Sequence, residues 1–108
     1  MIHELRIYRC LPGRLPDLIK RFESVTLKLW DKHGFRPVGF WATVIGASNQ
    51  DLTYLLEWKD LAERERLWAG FMADADWLKA RAESEKNGPI VANITSSILQ
   101  PTAFSKVR

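Results

Sequence analysis

Residues 2–10 read Ile2-His3-Glu4-Leu5-Arg6-Ile7-Tyr8-Arg9-Cys10. One parity carries His3, Leu5, Ile7 and Arg9, the other Ile2, Glu4, Arg6, Tyr8 and Cys10. A period of two is that of a β-strand. Pro12-Gly13 breaks the pattern, and a different period follows. Leu15, Leu18, Ile19, Phe22, Val25 and Leu29 recur every three or four residues, the single apolar stripe of an amphipathic helix over residues 14–33. Pro16 is tolerated only in a first turn, so the helix starts near Arg14 or Leu15. Lys32 and His33 suit the negative end of the helix dipole, and Gly34 is a natural stop.

Further along, residues 35–45 and 52–58 read as two strands joined through the loop Gly46–Asp51. Asp60-Leu61-Ala62-Glu63 is a capping-box-like helix start, with Leu61, Leu67, Trp68, Phe71 and Met72 following. Asp74 caps a further short helix carrying Trp77 and Leu78, and Asn87-Gly88-Pro89 ends it. Residues 90–100 form a last strand, and 101–108 a tail. The order β-α-β-β-α-β specifies a single ferredoxin-like α+β domain over residues 1–108, an antiparallel sheet with its helices on one face.

Parity then divides the sheet. Leu5, Ile7, Val38, Phe40, Ala42, Val44, Leu55, Ala92, Ile94 and Ile98 form the more apolar set and are assigned to the helix face. Glu4, Arg6, Tyr8, Trp41, Thr43, Tyr54, Trp58, Asn93, Thr95 and Ser97 fall on the other. That second face is rich in aromatic rings for a surface open to water. A second copy of the chain, packed sheet to sheet about a two-fold axis, would cover it and close a barrel with the helices outside. Twelve aromatic residues in 108, five of them Trp, are a heavy load for so short a chain.

Composition narrows the function. The chain is 46% hydrophobic with a net charge of +3, and its basic residues are scattered among acids, as in Glu63-Arg64-Glu65-Arg66. This is not the concentrated basic face of a nucleic-acid binder. No apolar run reaches the roughly 20 residues of a membrane span, and no secretory pattern is visible, so a cytoplasmic location is expected. The lone Cys10 excludes an intrachain disulfide and reads as a plain buried thiol. His3 and His33 have no neighbouring ligand set, and no phosphate loop or nucleophile elbow occurs, so neither metal nor cofactor is expected.

The candidate ligand pocket is Glu4, Arg6, Tyr8, Trp41, Tyr54 and Trp58. A carboxylate beside a guanidinium can orient a polar ligand, while an internal ion pair satisfies the same pattern. The rings can line an apolar pocket or fill the space between two sheets. Around Trp68, Phe71, Met72 and Trp77, core packing under the two short helices is the favoured reading over a ligand box. Phe104 and Val107 would let the tail wrap onto a partner subunit.

Several of these segments, taken in order, resemble one family. His3-Glu4-Leu5-Arg6-Ile7-Tyr8 leading into Leu11-Pro12-Gly13 is similar to the opening of NIPSNAP proteins. So are His33-Gly34-Phe35, Val38-Gly39-Phe40-Trp41, Ile45-Gly46, Leu61-Ala62-Glu63-Arg64-Glu65-Arg66, Asp74-Ala75-Asp76-Trp77, and Ile98-Leu99-Gln100-Pro101 with Phe104-Ser105. The chain departs from the family where a His and a Trp are usual in the third strand, here Tyr54 and Leu56, and where a Glu and an Arg are usual in the last, here Thr95 and Ser97. The resemblance implies a dimeric α/β barrel. Two functions stay open: a homodimeric module that binds a small apolar or aromatic ligand or a partner protein, and a cofactor-independent enzyme of monooxygenase or isomerase type. Fold similarity alone does not choose between them.

Overall fold

The alternation at the N-terminus becomes β1 (Ile2–Cys10) in the computed structural model, which describes residues 1–108. Gly13 turns the chain at φ +80°, and a helical rod follows without a side-chain cap, with Pro16 in its first turn. The rod is α1 (Leu15–Arg21), a π-helical turn (Phe22–Thr26) and α2 (Leu27–His33) in direct succession. Gly34 ends it at φ +86°, in the left-handed conformation that glycine adopts at least cost. Next come β2 (Arg36–Ala42), β3 (Asp51–Trp58), α3 (Leu61–Met72), α4 (Ala75–Ser84) and β4 (Val91–Leu99). The sheet is antiparallel in the order β2-β3-β1-β4, the ferredoxin-like arrangement.

Local signals account for the boundaries. The Asp60 carboxylate accepts from the Glu63 N–H at 2.8 Å and caps α3. Glu63 reaches back to the Lys59 N–H at 2.9 Å, one residue further than in a capping box. Asp74 caps α4 through the Asp76 N–H at 2.8 Å. β2 ends at Ala42, three residues before its expected limit, so Val44 and Ile45 lie in the connection to β3 and are almost wholly exposed.

The assignment of sheet faces needs correction. Register pairs Glu4 with Leu56 and Ile98, Arg6 with Tyr54 and Ser96, and Tyr8 with Leu52 and Ile94. Phe40 pairs with Tyr54, so all these residues share one face. That face is the one under the helices: the Tyr8 ring lies edge-on to Phe22, and Trp68 of α3 lies against Arg6. Leu5, Ile7 and Leu55 point the other way, with Trp41, Thr53, Thr95 and Ser97. The parities of β2 and β4 are as expected for Phe40, Ala42, Ile94 and Ile98, whereas those of β1 and β3 are exchanged. The physical reason is that polar side chains that satisfy one another can occupy a core. A simple apolar count misplaces them.

The core is aromatic. Trp30, Tyr54 and Trp58 are fully buried with Leu18 and Leu56, and Phe22, Phe35 and Phe71 pack among them. Trp30 stacks on Phe35 at 5.1 Å between centroids and meets Phe22 edge-on at 5.4 Å. Each such side chain contributes about 1.5–3 kcal/mol through burial. Most of the aromatic load is therefore absorbed within one chain. On the uncovered face the ring of Trp41 folds over Gly39, where a Cβ would come within 2.9 Å of the indole.

Candidate functional site

Glu4 is an ionised group at the centre of the helix-covered face, with no exposed surface. Its carboxylate accepts from Arg64 Nε at 2.9 Å and Nη2 at 3.1 Å, from Arg6 Nη1 at 3.0 Å, from Trp58 Nε1 at 3.0 Å and from Ser96 Oγ at 2.6 Å. Trp68 Nε1 adds a longer contact at 3.4 Å. Burial by itself would raise the carboxyl pKa. The hydrogen bonds from Arg64, Ser96 and Arg6 outweigh it and lower the value to about 2. Four elements, β1, β3, α3 and β4, thus converge on one anion.

Arg6 carries the network outward. Its Nε donates to Tyr54 Oη at 2.7 Å and its Nη2 to Tyr8 Oη at 3.2 Å, while the Tyr54 hydroxyl donates to Tyr8 Oη at 2.9 Å. The guanidinium lies 4.6 Å from the centre of the Trp68 ring, a cation–π contact. Burial opposes the Arg6 charge, but Tyr54, Tyr8 and Glu4 more than offset it and raise its pKa. Burial likewise holds the Tyr54 hydroxyl well above its ordinary pKa. The site is therefore a fixed array of a carboxylate, a guanidinium and two phenols, stiffened by rings.

Beside this array a cleft of about 470 Å³ opens between the β1–β4 side of the sheet and α3–α4. Arg6 and Tyr8 form part of its wall, and Trp68, Phe71, Met72 and Trp77 supply an apolar wall. Its size falls in the range of small-molecule sites.

The structure brings Glu4, Arg6, Tyr8, Tyr54 and Trp58 together and gives the Glu4–Arg6 pair within one chain. It places Trp41 on the opposite face of the sheet, half exposed. Sequence reasoning missed Arg64, Trp68 and Ser96 as partners of Glu4. One signal was present: Arg64 stands four and seven residues before Trp68 and Phe71, on the inward stripe of α3, where a charge needs a buried counterpart. His33 is held elsewhere, Nε2 at 2.7 Å from Asp74 Oδ2, with Lys32 on the same oxygen at 2.9 Å. These two bonds depress the Asp74 pKa. His3 is buried, with Nε2 unpartnered. Cys10 is buried, and burial raises its thiol pKa.

Comparison with known proteins agrees with the residue pattern. The NIPSNAP family model matches residues 3–106. An uncharacterized NIPSNAP-like domain protein from Burkholderia xenovorans superposes with a TM-score of 0.85 at 26% identity, over 96% of this chain and 87% of that one. A NIPSNAP family protein of unknown function from Agrobacterium tumefaciens gives 0.87 at 24% identity, over 100% of this chain and 94% of that one. A more distant likeness, in fold alone, is a candidate antibiotic biosynthesis monooxygenase from Nitrosomonas europaea: TM-score 0.62, 8% identity, covering 94% and 98%. No curated protein matches the chain. With a family model spanning residues 3–106, and NIPSNAP-like neighbours that superpose over nearly the whole chain, the chain belongs to the NIPSNAP family.

Proposed function

We propose that this protein is a homodimeric barrel that binds a small planar, largely apolar molecule in the cleft between its sheet and α3–α4. The observation that carries this reading is the cleft itself, a space of about 470 Å³ walled by Trp68, Phe71, Met72 and Trp77 and footed by the Arg6–Tyr8 array. Apolar walls with a few fixed polar groups are what a small-molecule site requires. Binding is favoured over proton-transfer catalysis because Glu4 is saturated with donors and held at a pKa of about 2, which makes it a poor base.

The dimer rests on the uncovered face. Leu5 faces Leu55 across β1–β3, with Ile7 and Trp41 beside them, and no helix covers this row. Val44, Ile45 and Phe104 are almost wholly exposed in the β2–β3 connection and the tail. An apolar sheet face flanked by protruding apolar segments suits a two-fold partner. Sedimentation equilibrium should give twice the 12.5 kDa chain mass; a single-chain mass at micromolar concentration rejects the barrel.

Ligand binding is tested by a thermal-shift screen with neutral planar aromatics, on the native chain and on Arg6→Ala and Tyr8→Phe. Compounds that fit raise the melting temperature of the native protein, and the rise shrinks in Arg6→Ala. No response from any compound overturns the reading.

A further inference from the structure

The cleft is more positive than an apolar pocket requires. Arg6, Arg21 and Arg81 line it, against one carboxylate, Glu85. Glu85 is shared, 3.3 Å from Arg21 Nη1 and 3.8 Å from Arg81 Nε. Behind Arg6, Glu4 is shared in the same way with Arg64. At that end the charge is balanced, because Arg64 also holds Glu65 at 2.9 Å, whereas at the Arg21–Arg81 end one carboxylate serves two arginines and positive charge is left in excess. A protein interior compensates such an excess with an anion or by opening to water.

Two buried donors behind the wall have no partner within the chain. Arg21 is only 7% exposed and its Nε–H is unsatisfied, although its Nη1 is engaged. Trp77 is 6% exposed and its indole N–H is unsatisfied as well. The Arg21 guanidinium lies 5.2 Å from the Trp77 ring centre, so the two donors belong to one corner. Buried donors of this kind are rare in folded proteins and call for an acceptor. The π-helical turn begins at the residue after Arg21, an irregularity often found where a side chain serves a site.

Building on the ligand-binding reading above, we infer that the ligand is an anion: a planar aromatic carboxylate whose ring lies among Trp68, Phe71 and Trp77 and whose charged end is received by Arg21 and Arg81. A guanidinium matches a carboxylate in shape as well as charge. A neutral aromatic of equal size would fill the same walls and leave the excess charge of Arg21 and Arg81 unmet, and a cationic one would be repelled.

The test uses 2-naphthoate and its neutral isostere 2-naphthamide, followed by tryptophan fluorescence and calorimetry on the full chain. The acid is expected to bind about ten-fold or more tightly than the amide, one good charged contact. Arg81→Gln, at the half-exposed rim where the fold tolerates change, should remove most of that preference, weakening the acid several-fold more than the amide. Arg21→Lys keeps the charge, loses the fork and should weaken the acid more than the amide. Added salt should weaken the acid and spare the amide. Equal binding of acid and amide, or indifference of the acid to Arg81→Gln, overturns the anion while leaving the apolar cleft in place. Failure of both probes to bind overturns the cleft as a site together with it.

Discussion

The two faces of the sheet carry opposite chemistry to the one a simple apolar count assigns them. Under the helices lie Glu4, Arg6, Tyr8 and Tyr54, polar groups set among core rings, each satisfied by another. On the uncovered face lie Leu5, Ile7, Leu55 and Trp41, with no helix against them. Consecutive residues of β1 therefore do contrary jobs. The difference teaches that burial follows satisfaction as well as hydrophobicity: a carboxylate with a full set of donors can lie deeper than a leucine next to it.

The sharpest way to break this contrast is Glu4→Gln. The substitution keeps the size but leaves Arg6 and Arg64 without their shared anion. A loss of about 3–5 kcal/mol in urea unfolding is expected, as for a buried pair stripped of one partner. Acid probes the same group without mutation. The folded-state pKa of about 2 lies below the ordinary 4.5, so between these values the unfolded chain binds the proton more readily. The stabilisation is complete above roughly pH 5 and is lost as the pH falls toward 2. Unfolding free energies measured across that window should slope downward with acid, and Glu4→Gln should flatten the slope. A native chain with no slope there would mean Glu4 is not ionised in the core.

Tyr54→Phe is milder. It removes the acceptor of Arg6 Nε and the donor to Tyr8, and about 1–3 kcal/mol should be lost in the same titration. Asp60→Ala, remote from either face, should cost about 1 kcal/mol through the α3 cap and set the scale for an ordinary local contact. The smallest expected change in folding free energy is at the adjacent strand position. Leu5→Lys, on the uncovered face, should shift the unfolding of the isolated chain by about 0.5 kcal/mol or less. On the proposed dimer its effect should appear in sedimentation instead, as a halved mass. A Leu5→Lys chain that unfolds as readily as Glu4→Gln would erase the distinction between the faces.

Local chemistry made most of the fold legible in the sequence. Pro16 in a first turn, Gly34 after Lys32-His33, and the Asp60 and Asp74 caps each act within a few residues, and the structure has them where they were expected. Facing was not legible for β1, because what makes Glu4 a core residue is supplied by Trp58, Arg64, Trp68 and Ser96, far along the chain. The site was legible in the same proportion. Glu4, Arg6, Tyr8, Tyr54 and Trp58 share strand parities and could be grouped. Arg21, Trp77 and Arg81 come from helices whose distance from the strands no periodicity encodes. Trp41 was grouped with the site by its ring and its parity, and only register separates it.

The π-helical turn at Phe22–Thr26 has a consequence for mutational tolerance. An α-helix advances roughly 100° per residue, so positions four apart drift around the axis. Yet Leu18, Phe22, Thr26 and Trp30, each four residues after the last, are all buried. The wider turn takes up the drift and keeps the two halves of the rod in angular phase with the sheet. Removing one residue there, Glu23 for instance, would restore an ordinary helix with nearly the same angular advance from Leu18 to Trp30, within roughly 20° of whole turns, and leave Trp30 against Phe35. A one-residue deletion within this turn should thus be tolerated better than one in the regular helix on either side, which would put the two halves roughly 100° out of phase.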